Sequence, residues 1–241
     1  MTRPVDLNAD LGEGFGRWSL GDDMGLLEVI TSANIACGYH AGDPSTMRRT
    51  CAAAVERGVA IGAQVSYPDL VGFGRRFLDM APDELADAVI YQVGALRAMA
   101  GCGGGRVTYV KPHGALYHAV LHHESQAGAL VDAVAALGDG LLLMGMPNSA
   151  VEHAASRAGV GFMTEGFADR GYDADGRLVP RGQPGDLLVD PDAVAEQAVA
   201  LLAWRVDSIC VHSDTPGAAR LAAAARAALL AAGATLAPAA P

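Results

Sequence analysis

The sequence predicts an α/β fold in which seven parallel strands alternate with helices and close into a (β/α) barrel. Apolar segments of about four to six residues, the length of buried strands, alternate with helical patterns of about ten or more residues. No linker or change of composition interrupts this alternation, so we expect a single domain over residues 1–241. An open, doubly wound sheet is the alternative architecture for the same alternation.

The predicted strands are the short apolar segments at residues 3–8, 32–37, 59–63, 106–110, 141–145, 160–165 and 207–211. The predicted helices lie between them, at residues 22–30, 43–58, 82–100, 124–137, 148–158, 191–204 and 216–232. Asp43 and Pro44 are typical of a helix N-cap and first turn, and Gly58 is typical of the residue after a helix. Long polar loops at residues 64–80 and 167–186 follow the third and sixth strands.

Composition argues against several classes of function. With 17 Lys and Arg against 27 Asp and Glu, the formal net charge of −10 argues against a nucleic-acid or anionic-membrane surface. The four cysteines, Cys37, Cys51, Cys102 and Cys210, form no CxxC pair, which indicates reduced thiols and neither a disulfide framework nor a zinc clip. Neither a stretch of about 20 apolar residues nor a signal peptide is present, so we expect a cytoplasmic protein without a membrane span.

Three common functional motifs are absent from the sequence. There is no GxxxxGK[ST] loop for nucleotide phosphates and no GxSxG elbow for a nucleophilic serine. Residues 12–16 (GEGFG) are rich in glycine, but their spacing differs from that of a GxGxxG dinucleotide-binding turn. We therefore expect neither a P-loop nucleotide site nor nucleophilic serine catalysis.

Polar residues cluster at or just beyond the carboxyl-terminal ends of the predicted strands, where active sites of parallel α/β folds are built because the βα loops converge there. Six strands contribute such residues: Asn8, Asp10 and Glu13; His40 and Asp43; Gln64 and Ser66; Lys111 and His113; Glu165, Asp169 and Arg170; His212 and Asp214. Any single one has the ordinary alternative of a helix cap or a loop hydrogen bond, Asp43 in particular. Six groups at one edge predict a functional site.

Lys111 is the only lysine among the 17 basic residues. Pro112 restricts it to an extended backbone, which suits a strand end that directs an ammonium into a pocket to bind an oxyanion or a carboxylate. A surface lysine without a role is the alternative.

His40 and His113 are candidate acid–base groups, or metal ligands together with Asp10. Because no HExxH or CxxC spacing supports a metal, its presence stays open.

Five motifs give the chain a specific resemblance to a known family. They are residues 6–13 (DLNADLGE), 33–43 (ANIACGYHAGD), 110–117 (VKPHGALY), 167–172 (FADRGY) and 178–181 (LVPR). These strings resemble the LamB/YcsF family, and the resemblance runs from residue 5 to residue 230. It implies a seven-stranded β/α barrel of the glycoside hydrolase/deacetylase type, in agreement with the strand count.

The resemblance also implies an activity, that of the A subunit of a bacterial ATP-dependent 5-oxoprolinase. Such an enzyme opens the lactam of 5-oxo-L-proline to L-glutamate with cleavage of ATP. The implied partners are B and C subunits, and the implied co-substrate is ATP with Mg²⁺.

Roles for the candidate residues follow from this chemistry. We interpret Asp10, His40, Lys111 and His113 as catalytic, with Asp10 or His40 as the base for water and Lys111 with His113 beside the oxyanion. Arg170 or Arg75 is expected to hold the substrate carboxylate. The full set of expected substrate-binding residues is Asn8, Glu13, Gln64, Arg75, Asp169, Arg170, His212 and Asp214.

Two motifs depart from the family pattern. Residues 62–66 read GAQVS where the family usually has GAHPS, and residues 210–214 read CVHSD where it usually has CxHGD. Gln64 cannot act as an acid or base, and its amide is a poorer metal ligand than an imidazole. These departures leave two alternatives: a metal-dependent deacetylase or amidohydrolase acting on another amide or lactam, and a non-catalytic paralogue.

Overall fold

Seven parallel strands form the centre of the molecule, which the structure, a computed structural model, describes over residues 4–238 and 240. They are β1 (Asp6–Leu11), β2 (Ser32–Ala36), β3 (Ala60–Val65), β4 (Val107–Pro112), β5 (Leu142–Gly145), β6 (Phe162–Phe167) and β7 (Ser208–Val211). Each strand pairs with the next, and β7 pairs with β1, so the sheet is closed. The predicted seven-stranded barrel is confirmed, and the open sheet is excluded.

Helices cover the outside of the barrel. They are α1 (Asp23–Leu27), α2 (Pro44–Glu56), α3 (Pro82–Cys102), α4 (Gly114–His122), α5 (Glu124–Leu137), α6 (Ala150–Ala158), α7 (Pro191–Ala203) and α8 (Ala218–Ala231). The sequence pattern predicts seven of these and misses α4, which begins directly after His113 and buries Leu116, Tyr117 and Val120. Within residues 4–238 and 240, no helix is long and apolar enough to cross a bilayer.

The strands differ from the predicted ones chiefly at their ends. β1 begins at Asp6 and runs to Leu11, whereas the prediction is 3–8, of which residue 3 lies outside the described residues. Five polar residues at or just beyond the predicted strand ends therefore lie inside the strands: Asn8, Asp10, Gln64, Lys111 and Glu165. A polar residue ordinarily signals the end of a buried strand. Here the barrel interior is itself polar, so the strands continue through such residues.

Alternation along β1 separates two environments. Its odd-numbered residues belong to the apolar core between the barrel and the helices, and its even-numbered residues point into the barrel. There Asn8 Nδ2 donates to Ser208 Oγ at 2.7 Å, and Asn34 Nδ2 donates to Asp10 Oδ1 at 2.9 Å. The interior is thus crossed by hydrogen bonds that satisfy buried polar groups from different strands.

Large side chains fill the barrel beneath the candidate site. Tyr109 of β4 packs with Met144 and Met163, and its hydroxyl donates to Asn34 Oδ1 at 2.7 Å. Gly62 on the neighbouring β3 makes this possible, because a Cβ at that position would overlap the Tyr109 ring. The filled interior leaves the open space to the carboxyl-terminal ends of the strands.

Asp43 caps α2, as the sequence predicts. Its carboxylate accepts hydrogen bonds from the backbone N–H groups of Ser45 (3.0 Å) and Thr46 (3.3 Å), and Pro44 begins the helix. It also accepts from the N–H of Gly16 at 3.1 Å, which ties the loop after β1 to the helix. The position of Asp43 is therefore structural.

Candidate functional site

A cavity of about 510 Å³ opens at the carboxyl-terminal ends of the strands, where the βα loops meet. Eight of the residues expected in the site line it: Asp10, Glu13, Arg75, Lys111, His113, Arg170, His212 and Asp214. Four others are buried behind this lining: Asn8, His40, Gln64 and Asp169. The structure therefore brings the expected residues together and divides them into those that line the cavity and those that are buried behind them.

Lys111 is the central positive charge of this site. Its ammonium Nζ lies 2.7 Å from Glu165 Oε2 on β6 and 3.8 Å from Asp10 Oδ1 on β1. It donates to Asn8 Oδ1 at 3.1 Å, and Cys210 Sγ lies 3.2 Å away. Because only 3% of the side chain is exposed, these four groups fix its orientation.

The surroundings of Lys111 keep it charged. Burial by itself lowers the pKa of an ammonium, but the neighbouring Cys210, Glu165 and Asp10 outweigh burial and raise the pKa of Lys111 well above its ordinary value. Burial, followed by the charge of Glu165, raises the pKa of the Tyr117 hydroxyl in the cavity wall. The site thus combines a permanent cation with a neutral phenol.

Asn8 lies beneath Lys111 and joins three strands there. Its Oδ1 accepts from Lys111 and from Asn34 Nδ2 (2.7 Å), and its Nδ2 donates to Ser208 Oγ (2.7 Å). The sequence predicts Asn8 as a substrate-binding residue because it stands at the end of the predicted first strand. Its buried position in β1 makes it a support for the ammonium.

A second polar cluster lies at the end of β3. Gln64 Nε2 lies 3.0 Å from both Glu13 Oε1 and His113 Nδ1, and Gln64 Oε1 lies 3.2 Å from His40 Nε2. The two imidazoles stack with their centroids 4.0 Å apart. Ser213 Oγ donates to the second Glu13 oxygen at 2.9 Å. His40 is completely buried in this cluster and does not line the cavity.

His113 is the imidazole of the cluster that lines the cavity. Its Nε2 lies 3.0 Å from the backbone oxygen of Phe73, and a carbonyl only accepts, so Nε2 carries the proton. Burial, followed by the neighbouring His40, lowers the pKa of His113 well below its ordinary value. His113 is therefore a neutral imidazole whose Nδ1 is an acceptor.

Three residues of the cluster offer potential metal ligands. One atom each of Glu13, His40 and His113 lies within 4.8 Å of the others, as in a metal site. Asp10, the third ligand expected from the sequence, lies instead beside Lys111. The cluster as arranged does not fit an ion, because the amide of Gln64 lies among the three ligand atoms and hydrogen-bonds to each of them.

His212, after β7, is oriented by the buried Asp169. His212 Nδ1 lies 3.0 Å from Asp169 Oδ1, and Asp169 Oδ2 accepts from the His212 N–H (3.0 Å) and the Thr215 hydroxyl (2.9 Å). Burial alone lowers the pKa of His212 and raises that of Asp169. The attraction between the two outweighs burial, so the pKa of His212 is raised and that of Asp169 is lowered. Nε2 is then the ring nitrogen available in the cavity.

Three loops meet at Asp214 on the rim of the cavity. Arg75, after β3, forms an ion pair with Asp214, and Arg181, after β6, lies 3.7 Å from the same carboxylate. Burial alone raises the pKa of Asp214, but the two guanidinium groups lower it below its ordinary value. The Arg75 side chain is still 39% exposed, so it can also reach a ligand.

Arg170 holds the long loop after β6. Its Nε donates to the backbone oxygen of Asp186 at 3.0 Å, and its Nη2 donates to that of Val179 at 2.7 Å. Both arginines expected to hold a substrate carboxylate line the cavity. Arg75 is the more accessible of the two, because the Arg170 side chain is buried and two of its nitrogens donate to the loop.

Tyr117, Glu165 and Arg181 are polar residues in or next to the cavity that receive no role from the sequence. The sequence places Glu165 at the correct edge, and its signal is a carboxylate inside an otherwise apolar strand. Tyr117 and Arg181 lie in motifs that carry the family resemblance, but neither residue type alone indicates a site. Their positions depend on α4 and on the path of the loop after β6.

Comparison with known proteins identifies the family of this chain. A family model described as LamB/YcsF family matches residues 5–241. A curated protein from Streptomyces avermitilis, named as the A subunit of 5-oxoprolinase, is 54% identical over 242 residues, which cover 95% of this chain and 97% of the relative.

Solved structures give similar results. The Lactam Utilization Protein from Thermus thermophilus is 38% identical with a TM-score of 0.92, over 98% of this chain and 99% of that one. A peptidoglycan N-acetylglucosamine deacetylase is 10% identical with a TM-score of 0.51, over 97% of this chain and 84% of that one. At that identity the second likeness concerns the fold alone.

Proposed function

Because this chain belongs to the LamB/YcsF family, we propose that it is the A subunit of a 5-oxoprolinase, which opens the lactam of 5-oxo-L-proline to L-glutamate. The names of the Streptomyces relative and of the Thermus structure support this activity. The observation that carries it is the composition of the cavity. A buried ammonium, a carboxylate and an oriented imidazole, from Lys111, Asp10 and His212, line the same space.

The proposed substrate is small and anionic, and its parts match this cavity. A volume of about 510 Å³ is within the range of small-molecule sites. Arg75, with Arg181 beside it, can bind the carboxylate through a guanidinium fork. The lactam carbonyl then lies toward Lys111, whose third N–H meets only the weak acceptor Cys210 Sγ.

Amide resonance makes the lactam carbonyl a poor electrophile, which is why the reaction needs ATP. In the proposed sequence, the carbonyl oxygen attacks the γ-phosphorus of ATP, the bond to ADP breaks, and Lys111 stabilises the negative charge of the phosphoryl group that is now bonded to that oxygen. His113 cannot share this role from Nδ1, because that nitrogen accepts a hydrogen bond from Gln64. We therefore assign His113 to the cavity floor and the stabilisation of the phosphorylated oxygen to Lys111.

Two residues carry the proposed proton transfers. As water attacks the carbonyl carbon, Asp10 takes its proton; His40, the other candidate base, is completely buried. The C–N bond then breaks, and the ring nitrogen takes a proton from His212 and becomes the amino group of glutamate. Ring opening of the phosphorylated lactam leaves an acyl phosphate, which a second water hydrolyses to L-glutamate and phosphate.

The rest of the enzyme belongs to partner chains in this proposal. Relatives are named as one lettered subunit of 5-oxoprolinase, which implies an assembly of several chains. We assign the contacts to ATP and Mg²⁺ to the B and C subunits, since this chain has no P-loop motif. Use of ATP and the four free cysteines agree with a cytoplasmic location, which is part of the proposal.

Release of L-glutamate from 5-oxo-L-proline tests the function. The chain is assayed with ATP and Mg²⁺, alone and with the B and C subunits of a working 5-oxoprolinase, and we expect release only from the mixture. An inactive mixture, with a folded chain and partners that work with the A subunit of their own enzyme, would refute the proposed substrate.

Variants test the assigned residues in the active mixture. Asp10→Asn and Lys111→Ala are expected to lower turnover by about 100-fold or more. Their controls are Asp139→Asn and Arg177→Ala, at side chains that are 80% and 76% exposed, and these should keep full turnover. Retention of activity within about twofold in both site variants would show that the assignment is wrong.

A further inference from the structure

Glu13, His40 and His113 have the composition of a metal site with two imidazoles and one carboxylate. Such a set holds zinc in hydrolases when a fourth position is left open for water. All three residues are at least 93% buried, and their ligand atoms lie within 4.8 Å of one another. The composition alone therefore predicts a metal ion. Whether an ion can bind depends on what occupies the space between the three ligand atoms.

That space holds the side-chain amide of Gln64. Its nitrogen is 3.0 Å from Glu13 Oε1 and 3.0 Å from His113 Nδ1, and its oxygen is 3.2 Å from His40 Nε2. These are hydrogen-bond lengths, well above the ~2.0–2.2 Å of zinc bonds to nitrogen and oxygen. One neutral group thus contacts all three potential ligands at once.

Only one placement of the protons satisfies these contacts. His113 Nε2–H donates to the Phe73 carbonyl, so His113 Nδ1 must accept, and the Gln64 NH₂ group supplies that hydrogen. The second hydrogen of the NH₂ group goes to Glu13 Oε1. Gln64 Oε1 then accepts from His40 Nε2–H. Each of the three potential ligand atoms is occupied, and the His40 nitrogen bears a proton that an ion would have to displace.

We propose that Gln64 is a positioning residue that takes the place of a metal ion in this cluster, so that the protein binds no divalent metal there. The amide joins Glu13, His40 and His113 as an ion would, and it fixes His113 in the Nε2–H tautomer at the cavity floor. This inference concerns the cluster and does not depend on the identity of the substrate.

The experiment is a Co²⁺ titration of the full chain, read by the ligand-field absorption of bound cobalt and by metal analysis after gel filtration. The wild-type protein is expected to retain no stoichiometric Co²⁺. Gln64→Ala empties the space and frees His113 Nδ1 and Glu13, so it should bind one Co²⁺ per chain. Adding Glu13→Gln to Gln64→Ala should abolish that binding.

Two further variants make the test specific. Gln64→Glu keeps the size of the side chain and replaces the NH₂ donor by a ligand oxygen, so it should also bind one Co²⁺ even where Gln64→Ala folds poorly. Gln92→Ala removes another fully buried glutamine, which bonds to the backbone at Ser66, and should bind none.

Two results would overturn the proposal. One is a wild-type chain that retains one Co²⁺ and loses it on Glu13→Gln. The other is a folded Gln64→Glu chain that still binds none. An independent readout is the ¹⁵N spectrum of the His113 ring, in which we expect a protonated Nε2 and an unprotonated Nδ1 in the wild type. The reverse tautomer would contradict the assigned hydrogen bonds.

Discussion

The ammonium of Lys111 and the carboxylate of Glu165 form a buried pair, 3% and 0% exposed. Removing one charge from such a pair leaves the other without compensation in a medium of low dielectric constant. For this reason we expect the stability of the barrel, as well as the geometry of the site, to depend on both Lys111 and Glu165.

We expect Glu165→Gln to lower the free energy of unfolding by about 3–5 kcal/mol, because it leaves the Lys111 ammonium without its closest carboxylate. The double variant Lys111→Met/Glu165→Gln should lose less than the sum of the two single variants, since it removes both charges. Urea denaturation of the four proteins measures this. Additive losses would show that the pair does not act as a unit.

The pH dependence of activity reports on His212. If protonated His212 donates to the leaving nitrogen, kcat/KM falls as pH rises through its pKa, which lies above the ordinary 6.5. Asp169→Asn removes the carboxylate that raises this pKa, so the fall should occur at lower pH. The control Asp139→Asn should keep the wild-type midpoint. An unchanged midpoint in Asp169→Asn would exclude His212 as the titrating group.

The same pair affects stability with a definite sign. The pKa of His212 is raised on folding, so its contribution is fully present below pH 6.5 and is lost as pH rises through the raised value. The pKa of Asp169 is lowered on folding, so its contribution is present above 3.8 and is lost as pH falls through the lowered value. Their pairing therefore stabilises the fold most between these limits.

At the residue scale, sequence reasoning identifies a side chain more readily than its orientation. Lys111 could be predicted because it is the only lysine and precedes a proline at a strand end. The supporting positions of Asn8 and Gln64 could not, because they depend on how far each strand extends and on which strands are neighbours. The residue type alone does not distinguish a polar side chain that contacts a ligand from one that contacts another side chain.

At the scale of the secondary-structure elements, β3 and β4 pack through a close contact between Gly62 and the Tyr109 ring, which leaves no room for a side chain at position 62. Gly62→Ala would place a Cβ against the Tyr109 ring, which lies between buried neighbours and cannot move without strain. We expect a loss of about 1–3 kcal/mol in the free energy of unfolding, measured by urea denaturation.

Gly94→Ala is the matched control for this prediction. Gly94 lies in α3 with open space around its Cβ position, so alanine should stabilise the protein by about 0.5–1 kcal/mol through helix propensity. Equal effects at the two positions would show that the Tyr109 contact is not the cause.

The order of strands and helices could be predicted because apolar periodicity repeats seven times along the chain. The ends of the strands could not, since Asp10, Lys111 and Glu165 continue them into a polar interior. The sequence pattern misses helix α4 because its apolar face is short and begins directly after a strand. Local patterns thus determine the elements, whereas tertiary contacts determine their limits.

At the scale of the whole molecule, the carboxylate of Asp214 joins loops that follow three different strands. Arg75 and Arg181 reach it from the loops after β3 and β6. Exposed ion pairs contribute only ~0–1 kcal/mol to global stability. The effect of this junction should therefore appear in local opening of the rim and not in unfolding of the barrel.

We expect Asp214→Asn to increase the rate of trypsin cleavage after Arg181, because the loop after β6 loses its ion pair to the rim. The global free energy of unfolding should change by less than about 1 kcal/mol. The control is Asp175→Asn, which removes the exposed ion pair between Asp175 and Arg177 in the same loop (3.9 Å). It should not change cleavage after Arg181. Equal cleavage in both variants would contradict the role of Asp214.

Closure of the barrel through β1 and β7 has a consequence for biosynthesis. The hydrogen bond between Asn8 and Ser208 joins residues 200 positions apart, and Val5 pairs with Leu236. At about 5–20 residues per second, a ribosome needs about 10–40 s to make the intervening chain. Throughout that time β1 exposes an unpaired edge to other nascent chains. Of the seven strands, β1 therefore remains longest without its second partner strand, β7.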